Sequence, residues 1–582
     1  MPSQESHDDG AYLSSFGPAL KTVGMEFANN PMIRNLASGF FESAERFPER
    51  PALFVSGEQI SYRSLRQLAA RIGATIQSVG DNESGIVALL AHRSKTAYAG
   101  VLGTLAAGKC YAPLNPKFPL DRTLRMLTLS GCSILIAGAE SFAELPNLLS
   151  RVNGPLVVIL PDCEVAPAWS EEFPQHRFIP AGRMSNGKDL SFTSELDGEA
   201  LAYLLFTSGS TGQPKGVAIH HSNVQPYVKY VCDRYSVTEE DRFSQEFDLT
   251  FDLSVHDMFV CWERGACLFC VPEKCVMIPA KFIRDHQLTM WFSVPSVIGV
   301  LEKMRLLNPG SFPSLRHSLF CGEPLPAKYA SLWQRVAINS TVENLYGPTE
   351  ATIAITHLRW DPARHEKEYL NGIVPIGWPF AGQMCRIVDE EKKAVAMGES
   401  GELCLAGSQV TNGYWNDPEK TRERFVRLPG SDGTTWYRTG DLVKQDAEGC
   451  IHYLGRIDHQ VKVRGYRIEL QEIEAVLRRV CETEQVVAVG WPVRNGLAEG
   501  IVAFVSGNES LDETAALARC RESLPDYMIP RRIYQQSEFP LTANGKIDRP
   551  ALIRQLDAAE EQPQEKAVLP RCERGEMMRN PI

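Results

Sequence analysis

From Pro31 to about Leu454 the chain repeats one pattern. Short apolar runs, GIVALLA, CSILIAG, PLVVIL and ALAYLLF, alternate with longer stretches such as TAYAGVLGTLAAG whose apolar residues follow a helical period. Apolar runs without polar alternation suit strands buried on both faces, and such strands are covered by the helices that connect them. The pattern predicts an α/β fold, with layered α/β subdomains making up a large N-terminal domain. A chain of 582 residues is long enough for further domains.

Near Gly455 to Gly465 the stretch GRIDHQVKVRG is short, charged and bracketed by glycine, which predicts a hinge. Beyond it the helix ELQEIEAVLRRV, the runs EQVVAVGWPV and EGIVAFVSG, and a helix around ETAALARCRESL are enough for a small α+β domain of about 90 residues. The expected organisation is an N-terminal extension at 1–30, a large domain at 31–457, a small mobile C-terminal domain at 458–555 and a flexible tail at 556–582.

Composition narrows the function. Lys plus Arg number 60 against 71 Asp plus Glu, a net charge of −11, which is the wrong sign for a chain that embraces nucleic acid. No run approaches the ~20 apolar residues of a membrane-spanning helix. The start, MPSQESHDDG, lacks the apolar segment of a secretory signal, so the expected location is cytoplasmic, without a membrane partner. The 15 cysteines are an odd, dispersed set, as expected of reduced thiols. Cys267 and Cys270 have the spacing of half a zinc site, but the second half is missing, and GACLFCVPE reads as a strand whose sulfurs pack as small hydrophobes.

The segment LLFTSGSTGQPKGVAIHH carries the strongest chemical signal. A buried-type strand runs into Thr207, Ser208, Gly209, Ser210, Thr211 and Gly212, followed by Lys215. Glycines let backbone N–H groups approach a polyphosphate, hydroxyls add donors, and lysine supplies a mobile charge. The P-loop of kinases and ATPases needs a lysine directly after glycine and before Ser or Thr; Lys215 stands between Pro214 and Gly216, so that motif is excluded.

TSGSTGQPKGV resembles the phosphate-binding signature of the adenylate-forming superfamily, which includes the amino-acid adenylation domains of nonribosomal peptide synthesis, acyl-CoA synthetases and firefly-type luciferases. Further motifs follow in the family's order: LYGPTEATIA from Leu345, GELCLAGSQVTNGYW from Gly401, YRTGDL from Tyr437, LGRIDHQVKVRGYRIEL from Leu454 and LTANGKIDR from Leu541; GTLAAGKCYAPLNP precedes them. The resemblance implies two half-reactions. A carboxylate attacks the α-phosphorus of ATP to give an acyl-adenylate and pyrophosphate, and a thiol then takes the acyl group.

The same resemblance implies roles. Lys546 matches the family's mobile catalytic lysine, with Thr207 and Lys215 acting on the phosphates. Glu350 is the candidate Mg²⁺ ligand, and Gly347 and Thr349 lie beside it in the same motif, with Thr349 donating to phosphate. Tyr346 is similar to the residue that stacks on adenine, while Asp441 accepts from the ribose hydroxyls with help from Arg456. Asp458 occupies the hinge position at which the family swings its small domain between adenylating and thioester-forming poses. Taken singly, each residue also has an ordinary structural reading.

SQEFDLTFDLSVHDMF resembles the carrier-protein ligase branch and assigns Asp252 to the α-ammonium of an amino acid; Asp248, four residues earlier in a near-repeat, is the alternative register. The rest of the aligned pocket is Leu253, His256, Ser293, Leu319, Cys321, Leu345, Ile353 and Ala354. That lining is mostly apolar and uncharged, which predicts a neutral, small to medium amino acid. His256 reads equally as a substrate contact and as a hydrogen-bonded core histidine. LFCGEPLP and FDLSV resemble D-alanine:carrier-protein ligases, so D-alanine loading stays open, as does an acyl-CoA synthetase. The one phrase resembling a phosphopantetheine attachment site, GNESL at Gly507, reads as a loop. The expected partners are therefore ATP, Mg²⁺, an amino acid and a separate phosphopantetheine-bearing carrier protein.

Overall fold

A computed structural model describes residues 32–80, 84–209, 214–363, 369–458, 460–483, 485–494, 497–506, 511–536, 538–540 and 547–561. Ser210, Thr211, Gly212 and Lys546, and most of the GNESL segment, lie outside the described residues.

The apolar runs form two large sheets. In the seven-stranded sheet Cys110–Leu114, Ile86–Leu90, Ile134–Ala137, Val157–Leu160 and Arg177–Pro180 run parallel, and Leu201–Thr207 joins them before turning back antiparallel as Lys215–His220. In the nine-stranded sheet a parallel centre, including Arg242–Gln245, Met290–Ser293, His317–Phe320 and Thr341–Tyr346, is flanked by antiparallel edges. IVALL at 86–90 shows why the runs are uniformly apolar. Val87 and Leu89 enter one hydrophobic cluster, while Ile86, Ala88 and Leu90 enter another on the opposite face.

The first of these clusters joins one face of each sheet to the helices Ser38–Arg46, Tyr62–Ser78, Lys95–Ala106 and Leu253–Glu263. Ser61 and Ser94 start two of those helices by accepting the N–H groups of Ser64 and Ala97. The two cross at a glycine pair: a Cβ on Gly103 would lie 2.7 Å from the Ala69 carbonyl oxygen, and one on Gly73 would lie 2.9 Å from the Gly103 oxygen. Glycine is required there by close backbone approach.

A third, antiparallel sheet follows, in which Thr435–Gln445 pairs with Ile451–Arg456 and sets Asp441 opposite Arg456. After the bend at Asp458 the chain forms the hairpin Gln460–Val463/Tyr466–Glu469, the helix Leu470–Val480, the sheet of Val486–Gly490, Ile501–Ser506 and Ile533–Gln536, and the helix Arg549–Glu561. These elements have hydrophobic clusters of their own. The closing helix carries ordered chain beyond the expected boundary at 555, because Leu552 and Leu556 share one face and both bury against Val487, Val489 and Phe504.

The strand Cys267–Cys270 forms as expected, with the Tyr98 hydroxyl donating to Cys270 Sγ. No disulfide occurs among the described residues, and no described helix is long and apolar enough to cross a membrane.

Candidate active site

Parallel strands end their carboxyl termini along one rim of a sheet, and ligand sites in α/β proteins collect there. Thr207 and Ser208 end the strand 201–207, and Tyr346 ends the strand 341–346; Gly347 and Thr349 follow it. Together with Asp252, Leu253, Cys321, Asp441 and Arg456 they line a cavity of about 90 Å³, to whose wall the hairpin 460–469 and the aromatic side chains Phe118, Phe251 and Tyr527 also contribute. The turn of that hairpin approaches closely enough that a Cβ on Gly465, at φ +81°, would lie 2.4 Å from Val294. Thus Asp252, Tyr346, Asp441 and the phosphate strand, far apart in sequence, share one cavity.

At one end the side chains of Tyr346, Asp441 and Arg456 are paired with one another. The Tyr346 hydroxyl donates to Asp441 Oδ2, and Arg456 Nη1 donates to Asp441 Oδ1 at 2.8 Å. The same guanidinium grips Asp458 with Nε and Nη2, at 2.9 and 2.6 Å. Burial works against the Asp458 charge, but Arg456 outweighs it and holds the carboxyl below its ordinary range. Burial, and then Asp441, push the Tyr346 hydroxyl well above its ordinary value, so it remains a donor.

Behind the strand end at Thr207 lies Glu350, which is fully buried. Its Oε1 accepts from Lys215 Nζ at 3.2 Å and from the Tyr414 hydroxyl at 2.9 Å, while its Oε2 accepts from Arg467 Nη1 at 2.8 Å. Burial alone would raise this carboxyl; Arg467 and Lys215 reverse that and hold it far below the usual range. Burial lowers Lys215 to about 8 against the pull of Glu350. The hydroxyl of Thr207 is buried without a partner among the described residues. Ser208 Oγ donates to the Arg467 carbonyl at 2.7 Å.

At the third corner stands Asp252. Its carboxyl is raised to about 7 by burial, against the Thr349 hydroxyl and the N–H groups of Ile353 and Leu253, which favour the charged form. Its Oδ2 has no partner among the described residues. Asp248 is different: His92 Nδ1 at 2.8 Å, Asn115 Nδ2 at 3.1 Å and both donors of Thr250 engage its carboxylate, and it does not line the cavity. Of the two registers, the one with Asp252 brings a carboxylate into the cavity.

Leu253 and Cys321 close the wall beside Asp252; burial pushes the Cys321 thiol up to about 12, so it packs as an apolar group. The other predicted pocket residues, His256, Ser293, Leu319, Leu345, Ile353 and Ala354, are buried but do not line the cavity. His256 bonds through Nδ1 to the Tyr227 hydroxyl at 2.7 Å, packs against Phe292 and is lowered by burial to about 3. It is a neutral core histidine in this arrangement. Ser293 Oγ accepts from Trp291 Nε1 and donates to the Val294 carbonyl.

Sequence reasoning missed Lys462, Arg467 and Tyr414. Lys462 is held in the cavity with its Nζ 6.0 Å from the centre of the Tyr346 ring, and its charge is weakened by burial despite Asp441. Lys462 and Arg467 lie inside the quoted VKVRGYRIEL motif, and their alternation with apolar residues in a hairpin was the available signal. Tyr414 likewise lies inside the quoted motif GELCLAGSQVTNGYW, but its contact with Glu350 spans 64 positions.

The AMP-binding enzyme family model matches residues 40–415, and the AMP-binding enzyme C-terminal domain model matches 472–546. Tyrocidine synthase 3 of Brevibacillus parabrevis is 33% identical over 532 residues, covering 90% of this chain and 8% of the relative. A dimodular nonribosomal peptide synthase of Bacillus subtilis is 34% identical over 532 residues, covering 90% and 21%. The chain thus spans only a small part of those relatives' lengths. Among solved structures, the Vibrio cholerae adenylation domain AlmE, in complex with glycyl-adenosine-5'-phosphate, superposes with a TM-score of 0.82 at 34% identity, covering 93% of this chain and 100% of that one. IdnL7 gives a TM-score of 0.67 at 33% identity, covering 90% and 99%.

Proposed function

The chain belongs to the AMP-binding enzyme family, and from that premise we propose that it activates a small neutral amino acid as its aminoacyl-adenylate and transfers the acyl group to the phosphopantetheine thiol of a separate carrier protein. One observation carries the choice of an amino acid over a simple carboxylic acid. A buried carboxylate, Asp252, has a free oxygen inside the cavity. A buried acceptor without a partner is costly, and an α-ammonium repays that cost with a charge-assisted hydrogen bond. A fatty acid would leave the charge unpaired. The small size follows from Leu253 and Cys321, which close the wall beside that carboxylate. The glycyl-adenylate bound by AlmE, an adenylation domain of similar fold, supports the same choice.

In this reading residues 31–457 bind ATP and the amino acid, and the unit from 458 onward moves about Asp458 and brings Lys546 to the reacting centre. In the first step the substrate carboxylate attacks the α-phosphorus and pyrophosphate leaves. In the second, the carrier thiol attacks the acyl carbon and AMP leaves. Lys215 and Lys546 offset phosphate charge, Tyr346 offers its ring to adenine, and Asp441 accepts from the ribose hydroxyls. Glu350 fits a Mg²⁺ ion, being a hard oxygen donor that already gathers two cationic side chains. Held there, that ion would offset phosphate charge.

The test is exchange of labelled pyrophosphate into ATP across a panel of L- and D-amino acids and short carboxylic acids. Exchange dependent on one small amino acid is expected. Exchange driven by acids lacking an amine would reject the reading.

A further inference from the structure

The tight turn that joins the strands Thr435–Gln445 and Ile451–Arg456 gathers three donors that the reaction does not use. It reads DAEGCIH: Asp446 opens the turn, Cys450 closes it, and His452 follows two positions later in the second strand. Alternation along an extended chain turns residues two apart to the same side. The sulfur of Cys450, a ring nitrogen of His452 and a carboxylate oxygen of Asp446 all lie within 4.8 Å of one another, with His452 Nε2 2.9 Å from Asp446 Oδ2. No other three His, Cys, Asp or Glu side chains among the described residues are spaced in this way. None of the three lines the active cavity.

The turn holds these donors in place through its own backbone. Asp446 Oδ1 accepts the N–H groups of Glu448 at 3.1 Å and Cys450 at 2.8 Å, which leaves Oδ2 turned toward the imidazole. Cys450 is 5% exposed, whereas the side chains of His452 and Asp446 are 17% and 33% exposed, so the group is closed behind the sulfur and open in front. His452 Nδ1 is buried with no partner among the described residues, so Asp446 does not use up the bonding capacity of the ring.

We propose that Asp446, Cys450 and His452 form a zinc site. Thiolate, imidazole and carboxylate are together the donor set of Zn²⁺, while Mg²⁺ takes oxygen alone. Tetrahedral zinc with bonds of about 2.0–2.3 Å sets its donors roughly 3.4–3.6 Å apart, a spacing that small side-chain rotations reach from the observed one. On binding, the Cys450 thiol gives its proton to solvent. The thiolate and the Asp446 carboxylate then cancel the two charges of the ion, which suits a half-buried place, and water takes the fourth position at the open front. The site stands at a junction. The carbonyl of Ile451, between two of the ligands, accepts the N–H groups of Ile376 and Gly377 at 2.9 and 3.2 Å, and Trp378 Nε1 donates to the Glu448 carbonyl at 3.4 Å. Zinc would therefore staple the turn where the third sheet meets the edge strand Trp378–Pro379 of the nine-stranded sheet. This inference stands apart from the choice of acid activated.

The experiment titrates the full chain, stripped of metal and kept reduced, with zinc against a chromogenic zinc indicator, without ATP. Wild type is expected to hold a zinc ion that millimolar magnesium does not displace. Loss of an outer partner of a metal ligand already costs about 10- to 100-fold in affinity, so Cys450→Ser and His452→Gln, which remove ligands, should each weaken binding by about 100-fold or more. Asp446→Asn should weaken it less. Cys481→Ser, at a half-buried cysteine elsewhere, should leave the titration unchanged. Cobalt in place of zinc should give a thiolate-to-cobalt charge-transfer band in wild type and Cys481→Ser that is absent from Cys450→Ser. Zinc should raise the Tm of wild type and leave that of His452→Gln unmoved. Circular dichroism of each variant separates lost binding from lost fold, and if Cys450→Ser does not fold, His452→Gln, on a partly exposed ring, carries the test. Equal zinc affinity in wild type and His452→Gln, or no thiolate band in folded, cobalt-treated wild type, overturns the proposal and leaves an Asp–His hydrogen bond beside an ordinary thiol.

Discussion

The two ends of the cavity are finished to different degrees. Around Asp441 the chain supplies its own partners: Tyr346 and Arg456 occupy both carboxylate oxygens, and Arg456 is itself fixed by Asp458 and the Thr439 carbonyl. Around Asp252 it does not, since one carboxylate oxygen is buried without a partner and the group is raised to about 7. Native proteins rarely leave a buried acceptor unpaired, so in the proposed reading the second end awaits a ligand's charge, whereas the first is already paired within the chain. An end that is already paired contributes orientation; an end left unpaired contributes selectivity, because only a ligand with the right donor removes the penalty.

The largest test of this contrast is Asp252→Ala. It should lower kcat/KM for the amino acid by about 100- to 1,000-fold while the KM for ATP changes little, because only the α-ammonium loses its partner. Similar losses for both substrates in pyrophosphate exchange would erase the distinction between the ends. Asp441→Asn attacks the other end. It keeps the shape but weakens the acceptor, and the KM for ATP should rise roughly 10- to 100-fold with amino-acid selectivity preserved, as read from the same assay.

A pH profile sharpens the comparison further. Asp252 must be ionised to hold an ammonium, and its value of about 7 in the unbound pocket means that the charge is lost as pH falls through neutrality. At saturating ATP, kcat/KM for the amino acid should fall by about tenfold per pH unit below that value and level off above it. Asp252→Asn should remove this limb and leave whatever pH dependence ATP binding has. The smallest expected effect is that of Leu253→Ala. Opening the wall beside Asp252 should shift the ratio of kcat/KM toward the next larger side chain by roughly tenfold, measured by competing amino acids in the same exchange assay. An unchanged preference would show that Leu253 does not limit the pocket.

Much of the fold was legible because its signals are local. Uniform apolar runs suit strands covered on both faces, and GIVALLA, CSILIAG, PLVVIL and ALAYLLF all became mutually parallel strands of one sheet. The small unit after the charged, glycine-bracketed stretch 455–465 was also readable from composition. The end of that unit was not. EEQPQEK suggests a flexible tail from 556, but the helix continues to Glu561 because Leu556 finds a hydrophobic partner that only the folded sheet provides.

The site divides in the same way. Motif order pointed to Tyr346, Asp441 and the strand ending at Thr207, which the structure brings to one cavity, since each motif shapes its own few residues of backbone. It did not distinguish Asp252 from Asp248, whose local sequences nearly repeat. That choice was made by what packs around each: His92, Asn115 and Thr250 engage Asp248, while Asp252 opens into the cavity. Nor did it separate the two readings of His256, which became a core residue through Tyr227 and Phe292. The pairing of Arg467 with Glu350, 117 positions apart, and of Glu472 with Arg122, 350 apart, had no local signature. Sequence by itself determined which groups are available and the backbone on which each is carried, because hydrophobic period and turn chemistry act over a few residues. Tertiary structure alone decided which buried charges meet, because the energy of an ion depends on its distance to others in a medium that the whole fold creates.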